Sequence, residues 1–211
     1  MIDQLAYEKE AYLKGYNYVA GVDEVGRGPM AGPVVAACVI MPKDQMIEGI
    51  NDSKKISDKM RRKLYNEIKE KALAVGVCFL SHKVVDEINI YQASKLAMER
   101  AIKKLKIKPD YVLTDAMKLD IDIPHQPIIK GDMFSYTIGC ASIVAKVARD
   151  DYMIRQAKKY PGYDFENNKG YPTKKHKEAL IKLGVLPIHR VTYQPVADEL
   201  NKLKEGALWN Y

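Results

Sequence analysis

Residues 18–41 read YVAGVDEVGRGPMAGPVVAACVIM. Tyr18 to Val22 is an apolar run of strand length that finishes on two acids, Asp23 and Glu24. Gly26 to Pro33 is rich in Gly and Pro and breaks the chain. Val34 to Met41 is small, apolar and partly β-branched, which is the pattern of a second, buried strand. The glycines resemble a dinucleotide-binding loop only superficially. The third comes one residue late, and a strand follows where that motif needs a helix.

Outward from this hairpin, residues 3–15 suit a short amphipathic helix. Ser57 is placed to cap a helix over 58–72, and Val75 to Leu80 is a third strand. Tyr91 to Leu105 carries a helical apolar face in Ala93, Leu96, Ala97, Ile102 and Leu105. Tyr111 to Thr114 is a fourth strand, ending on Asp115, and Gln126 to Lys130 a short fifth. Ser135 to Lys159 is a long helix stopped by Pro161-Gly162, followed by helices near 174–183 and 196–204. Strands in early succession and then helix–strand alternation imply an α/β protein with a mixed five-stranded sheet flanked by helices. Residues 1–160 are expected to form the core domain, with 161–211 a C-terminal helical extension packed on it.

Composition narrows the function classes. The 34 Lys and Arg outweigh the 27 Asp and Glu, a net charge of +7 on 211 residues, which permits a polyanionic partner. Hydrophobic residues at 47% and charged ones at 29% exclude a disordered or fibrous chain. No apolar run has the roughly 18 residues of a membrane span. Met1-Ile2-Asp3-Gln4 shows no basic segment ahead of an apolar one, so a cytoplasmic location is expected. Cys38, Cys78 and Cys140 are widely spaced among apolar or small neighbours and read as buried thiols.

The acids carry the chemistry. Asp23, Glu24 and Asp115 end apolar strands, where α/β sheets build sites. On the long helix, Ile143, Val147, Asp150 and Ile154 are spaced 4, 3 and 4 apart and fall within roughly 60° of one another. One acid of the pair Asp150 and Asp151 therefore faces inward; the period alone leaves open which. Clustered carboxylates repel, and without a His or Cys among them the cation that relieves them is hard, Mg²⁺ or Mn²⁺. Two such ions activate water and stabilise a leaving oxygen in phosphodiester hydrolysis. Strand geometry raises one objection: neighbours on a strand face opposite sides, so Asp23 and Glu24 share a site only if the strand bends or ends there. A glycosidase also uses paired carboxylates, but no aromatic platform accompanies these. Around them, Arg27 with its flanking glycines, Ser53-Lys54-Lys55 and Lys130 are candidate phosphate contacts. Asn168 to Thr173 adds a cation, a glycine and the Tyr171 ring, which suits stacking on nucleic acid. His176 carries no assigned role.

Asp23-Glu24-Val25-Gly26-Arg27-Gly28-Pro29, Asp52-Ser53-Lys54-Lys55, Lys130-Gly131-Asp132, Ala141 to Val147 with Arg149-Asp150, and Lys169-Gly170-Tyr171 with Thr173 and His176 together resemble bacterial ribonuclease HII, in family order from about Tyr18 to Leu183. The resemblance implies an RNase H-like fold and a monomeric, two-metal endoribonuclease of ribonucleotide excision repair. It would cut the RNA strand of RNA–DNA hybrids and incise 5′ of ribonucleotides embedded in duplex DNA, leaving 3′-hydroxyl and 5′-phosphate ends. It supplies Asp23, Glu24, Asp115 and Asp150 as catalytic metal ligands. It makes Gly26, Arg27 and Gly28 readers of the ribose 2′-hydroxyl, with Lys54 and Tyr171 also on substrate. Arg27 distinguishes the chain from the sister ribonuclease HIII, which typically has Lys there. Asp164 and Pro172 stand at loop positions often held by glycine. The alternatives are an RNase H-like nuclease restricted to hybrids and a non-catalytic nucleic-acid-binding module.

Overall fold

The structure, a computed structural model, describes residues 3–50 and 56–208. Lys54, expected at the substrate, lies outside the described residues, as do its neighbours 51–53 and 55. Five strands form one sheet in the order β3-β2-β1-β4-β5. They are β1 (Val19–Val25), β2 (Val34–Ile40), β3 (Ala74–Leu80), β4 (Tyr111–Asp115) and β5 (His125–Ile128). β1 is antiparallel to β2 and parallel to β4, and β4 is parallel to β5, so the sheet is mixed, as expected.

The helices are α1 (Ala6–Leu13), α2 (Asp58–Lys71), α3 (His82–Lys103), α4 (Gly131–Phe134), α5 (Tyr136–Lys159), α6 (Phe165–Asn168), α7 (Lys174–Leu183) and α8 (Gln194–Leu208). Ser57 caps α2 as its sequence predicts, its side chain accepting from the Met60 amide. Helix α3 departs from expectation by starting nine residues early. Its first turns contain Val84, Val85 and Ile88, which weaken a helical reading. Asn89 at φ 64° then leaves the helical conformation, and its side chain accepts from Gln92 N at 3.1 Å, restarting the helix as an internal cap.

By its contacts the chain divides into two compact units. The first comprises Met1–Val25, Val35–Phe79 and Ser94–Ala148. Its core packs Ala37 and Val39 of the sheet against Leu64 and Ile68 of α2 and against Cys140, Ile143 and Val144 of α5. A second cluster joins Ala11 of α1 to Val19, Leu113, Ile128 and Ile138. Buried Glu8 accepts from Thr137 N at 2.9 Å and from the hydroxyls of Ser135 and Thr137, placing a carboxylate at the α5 N-terminus, where the helix dipole favours it. All three cysteines are buried, and burial pushes their thiols up, so they pack as small hydrophobes.

The second unit comprises Gly26–Val34, Leu80–Ala93 and Arg149–Tyr211. One of its clusters holds Ala31, Met153, Tyr163, Phe165, Ala179 and Ile188; another holds Met30, Leu180 and Val196. No described helix is long and apolar enough to cross a membrane.

Candidate active site

In the first unit, strand pairing sets the acids. The β1–β4 ladder runs in parallel from Val19–Tyr111 to Val22–Thr114. The next step of that register brings Asp23 level with Asp115. The expected strand end at Asp23 is corrected here: β1 continues through both acids, because β2 stays paired with it as far as Val25–Val35. Alternation alone would send Asp23 and Glu24 to opposite faces, yet the charge of Glu24 is the largest that bears on Asp23, so the two carboxylates remain neighbours at this point of β1. Asp23 is buried while Glu24 is partly covered, with its Oε2 shut off from solvent.

The Glu24 amide donates to Asp23 Oδ1 at 2.7 Å, and the Ser142 hydroxyl of α5 also bonds the Asp23 carboxylate. Burial nevertheless pushes this carboxyl well above the usual range, and the charges of Glu24 and then Asp115 push it further. The Ser142 hydrogen bond opposes the shift; Asp132 adds to it. Asp115 is held in turn by the Gly131 amide at 2.7 Å from Oδ1. That contact follows a left-handed residue, Lys130 at φ 59°, which turns the chain so that buried Asp132 comes next on α4. The sequence placed Asp132 in a motif but not among the ligands. The signal for it is electrostatic and appears only in the fold.

A carboxylate pressed by three others in a buried setting is stabilised by a proton or a cation. The donors are all oxygen, which fits Mg²⁺ or Mn²⁺. Such ions commonly take one or two protein carboxylates and complete their shell with water and substrate phosphate. A closed protein cage is thus unnecessary, and none is preformed among the described residues.

Asp150 falls in the second unit, on α5. It is the buried member of its pair, 4% exposed, whereas Asp151 is only partly covered. In the same unit two wholly buried arginines grip the Gly-rich loop by its carbonyls. Arg190 donates from Nη2 to Gly26 O (2.6 Å), from Nη1 to Arg27 O (3.0 Å) and from Nε to Gly32 O (3.1 Å). Arg149 donates to Pro33 O, Ala31 O and Lys169 O at 3.0–3.2 Å. Burial, with Arg190 close by, holds the Arg149 guanidinium down to about 10. Gly26 has φ 95°, and a Cβ there would collide with Arg149 Nε, so this position takes glycine alone.

With the loop carbonyls turned toward Arg190, the trans peptides aim the amides of Arg27 and Gly28 the opposite way. Both residues are exposed. The exposed Tyr171 ring lies beside Gly28, where a Cβ would stand 3.3 Å from Cε1. The Met30 amide donates to Gly170 O at 2.9 Å, tying the loop to the Tyr171 turn. Asp164 adopts φ 60°, ψ 30°, which explains why glycine suits that position; here its carboxylate accepts from Asn167 Nδ2 at 2.5 Å.

A mixed five-stranded sheet flanked by helices, with carboxylates on adjacent central strands, defines an RNase H-like nuclease. A family model described as Ribonuclease HII matches residues 20–196. The ribonuclease H2 from Pyrococcus horikoshii OT3 superposes with a TM-score of 0.80 at 25% identity, over 90% of this chain and 100% of that one. An RNase HII from Archaeoglobus fulgidus, solved in complex with PCNA, gives 0.72 at 24% identity, over 84% and 95%. Bst-RNase HIII in complex with Mn²⁺ gives 0.70 at 15%, over 89% and 70%, which is a likeness of fold. The chain belongs to the ribonuclease HII family, and is accordingly a ribonuclease H, a hydrolase.

Proposed function

We propose that this ribonuclease H cuts the RNA strand of RNA–DNA hybrids and incises 5′ of single ribonucleotides embedded in duplex DNA, leaving 3′-hydroxyl and 5′-phosphate ends. The observation that carries the reading is the Asp23 carboxyl, pushed up first by its burial and then by the charges of Glu24, Asp115 and Asp132 gathered around it. A cluster of acids has little use in a passive binding surface, since its ionised carboxylates repel phosphate unless a cation is bound. A pair of Mg²⁺ or Mn²⁺ ions, when bound, would supply Lewis acidity and an activated water.

The chain's own residues do the rest. Asp23 and Asp115, level on neighbouring strands, and Glu24 present oxygens to the metals. The Glu24 amide and Ser142 orient Asp23, and the Gly131 amide orients Asp115. For the fourth acid the resemblance supplies Asp150 and the electrostatics supply Asp132; the charge on Asp23 favours Asp132. The outward amides of the Gly26–Arg27–Gly28 loop and the Arg27 side chain would read the ribose 2′-hydroxyl, the group that separates RNA from DNA. Tyr171 would stack on the sugar of the following deoxynucleotide. The Mn²⁺ of Bst-RNase HIII supports the metal, and the PCNA of the Archaeoglobus complex is a partner to test.

The test is duplex DNA carrying one ribonucleotide, incubated with Mg²⁺ or Mn²⁺ and, in parallel, with EDTA. A metal-dependent nick 5′ of the ribonucleotide is expected. Cleavage of continuous hybrids alone would reject junction incision and leave a hybrid-only enzyme.

A further inference from the structure

His176 and His189 lie wholly buried in the second unit with their Nε2 atoms 3.1 Å apart. Each ring meets main chain at its other nitrogen. The Leu186 amide stands 2.8 Å from His189 Nδ1, and the Tyr171 carbonyl stands 2.9 Å from His176 Nδ1. An amide can only donate, so His189 Nδ1 accepts and the neutral ring carries its proton on Nε2. That proton goes to His176 Nε2, which leaves the His176 proton on Nδ1, facing a carbonyl that can only accept. One arrangement of protons satisfies all three bonds, and it requires both rings neutral.

The surroundings favour that state. Phe165 meets His176 edge-on at 5.1 Å between centroids, and Tyr163 lies 5.7 Å from His189. Thr173 caps α7 by accepting from the His176 amide, which fixes where this imidazole starts.

The relay ends on the Tyr171 carbonyl. Tyr171 O also accepts from the Thr173 amide at 2.8 Å, while the Tyr171 amide donates to Asn168 O at 2.9 Å. Its ring is exposed beside Gly28. At its other end, the relay starts in the segment that grips the Gly-rich loop. Ala31 and His189 form an antiparallel bridge, and Arg190, the next residue, binds the Gly26 and Arg27 carbonyls.

We propose that His189 and His176 are positioning residues for ribonucleotide recognition, a neutral two-imidazole relay that registers Tyr171 against the Gly26–Arg27–Gly28 loop. The inference rests on the reading of that loop and Tyr171 as the parts that recognise the ribonucleotide junction.

Amide substitutions test it, because Asn places a polar atom near the Nδ1 position and Gln near Nε2. The readout is kcat/KM on duplex DNA with one ribonucleotide divided by that on a continuous hybrid, with melting temperature followed alongside. At position 189 the atom that matters to Tyr171 is Nε2, so His189→Gln is expected to stay within about threefold of wild type, while His189→Asn lowers the ratio about tenfold. At position 176 the essential atom is Nδ1, so the order reverses: His176→Asn retains the ratio and His176→Gln loses it. A purely structural role ranks the two amides the same way at both positions, and that result would overturn the relay; so would a ratio unmoved by all four variants. If one pair fails to fold, the sign of the difference within the other pair still decides. Tyr171→Ala is the control for the underlying reading. If it leaves junction incision intact, the assignment of Tyr171 falls; if it impairs incision while the amide variants do not, only the relay falls.

Discussion

Asp23 and Asp115 stand level on neighbouring parallel strands, one residue past the Val22–Thr114 pair that closes their ladder. Parallel strands point their carboxyl ends the same way, so the two acids leave the sheet at one edge, where α/β sheets bind ligands. The antiparallel partner β2 does not stop with them: it holds β1 extended to Val25. The β1–β4 ladder thus ends at the acids, while β2 braces β1 on one side and β5 stays paired with β4 as far as Asp115–Ile128 on the other. Carboxylates that must bind metal without drifting apart are well served by such a frame.

Asp23→Asn is expected to abolish cleavage, with loss beyond about a thousandfold, and to leave the fold intact. Asn keeps the oxygen that accepts from the Glu24 amide and removes a buried charge repelled by its neighbours. Millimolar Mg²⁺ should raise the melting temperature of the wild type by binding only the folded state, worth about 2.7 kcal/mol at a hundredfold excess over Kd. The variant should melt at the same temperature with or without Mg²⁺. A retained Mg²⁺ shift in Asp23→Asn would place the metal elsewhere.

Asp132→Asn and Asp150→Asn separate the two candidates for the fourth acid. Asp132 is buried on α4 and its charge bears on Asp23. Its loss is expected to reduce kcat by at least about a hundredfold and to raise the Mg²⁺ concentration needed for half-maximal rate. The Mg²⁺ titration of each variant decides the assignment: the ligand is the residue whose loss shifts the midpoint. A shift with Asp150→Asn and none with Asp132→Asn would return the role to Asp150.

Much of this was legible before the fold was seen. Alternation and apolar runs located all five strands, and the 3.6-residue period marked one acid of the pair Asp150 and Asp151 as inward without saying which; the burial of Asp150 decides it. Asp132 was not legible, because a residue on a one-turn helix has no period to betray its face; it takes the left-handed Lys130 and the Gly131–Asp115 bond to set it. The hold of Arg190 on Gly26 and Arg27 was invisible for another reason. It spans 164 positions in sequence, and a buried arginine looks like any other basic residue until its carbonyl partners are in place. Helix α3 was shortened by its own β-branched first turns, which tertiary packing overrides.

Gly21→Ala is predicted to be costly although the position lies in an ordinary strand. A Cβ at Gly21 would strike the main chain of Thr137 and Ile138 at the start of α5, and backbone cannot rotate away as a side chain does. A loss of about 3 kcal/mol is expected in urea unfolding, with a fall in kcat because β1 carries Asp23 two residues on. Stability within about 0.5 kcal/mol of wild type would show that helix and strand can part at this point.

The imidazole pair sets a pH dependence whose sign follows from both rings being held neutral. Burial, then the neighbouring His176 and His82 rings, push His189 down to about 4; burial also lowers His176, against the Tyr171 bond and the charge of Asp164. In the unfolded chain each imidazole takes up a proton near pH 6.5, while the folded protein resists until near pH 4 at His189. The unfolded state therefore binds more protons in that window, and stability falls as pH drops through it. The full contribution is present above about pH 6.5 and, for His189, is lost progressively below it, by about 3 kcal/mol at pH 4. Asp23 works with the opposite sign, its stability contribution declining as pH rises through its elevated value, so the wild-type profile is a sum. His189→Gln isolates the imidazole: urea unfolding at pH 7 and pH 4.5 should show a smaller loss in the variant than in the wild type, by about 2 kcal/mol. Equal losses would mean that His189 titrates normally in the folded protein, and the three-bond proton arrangement would have to be abandoned.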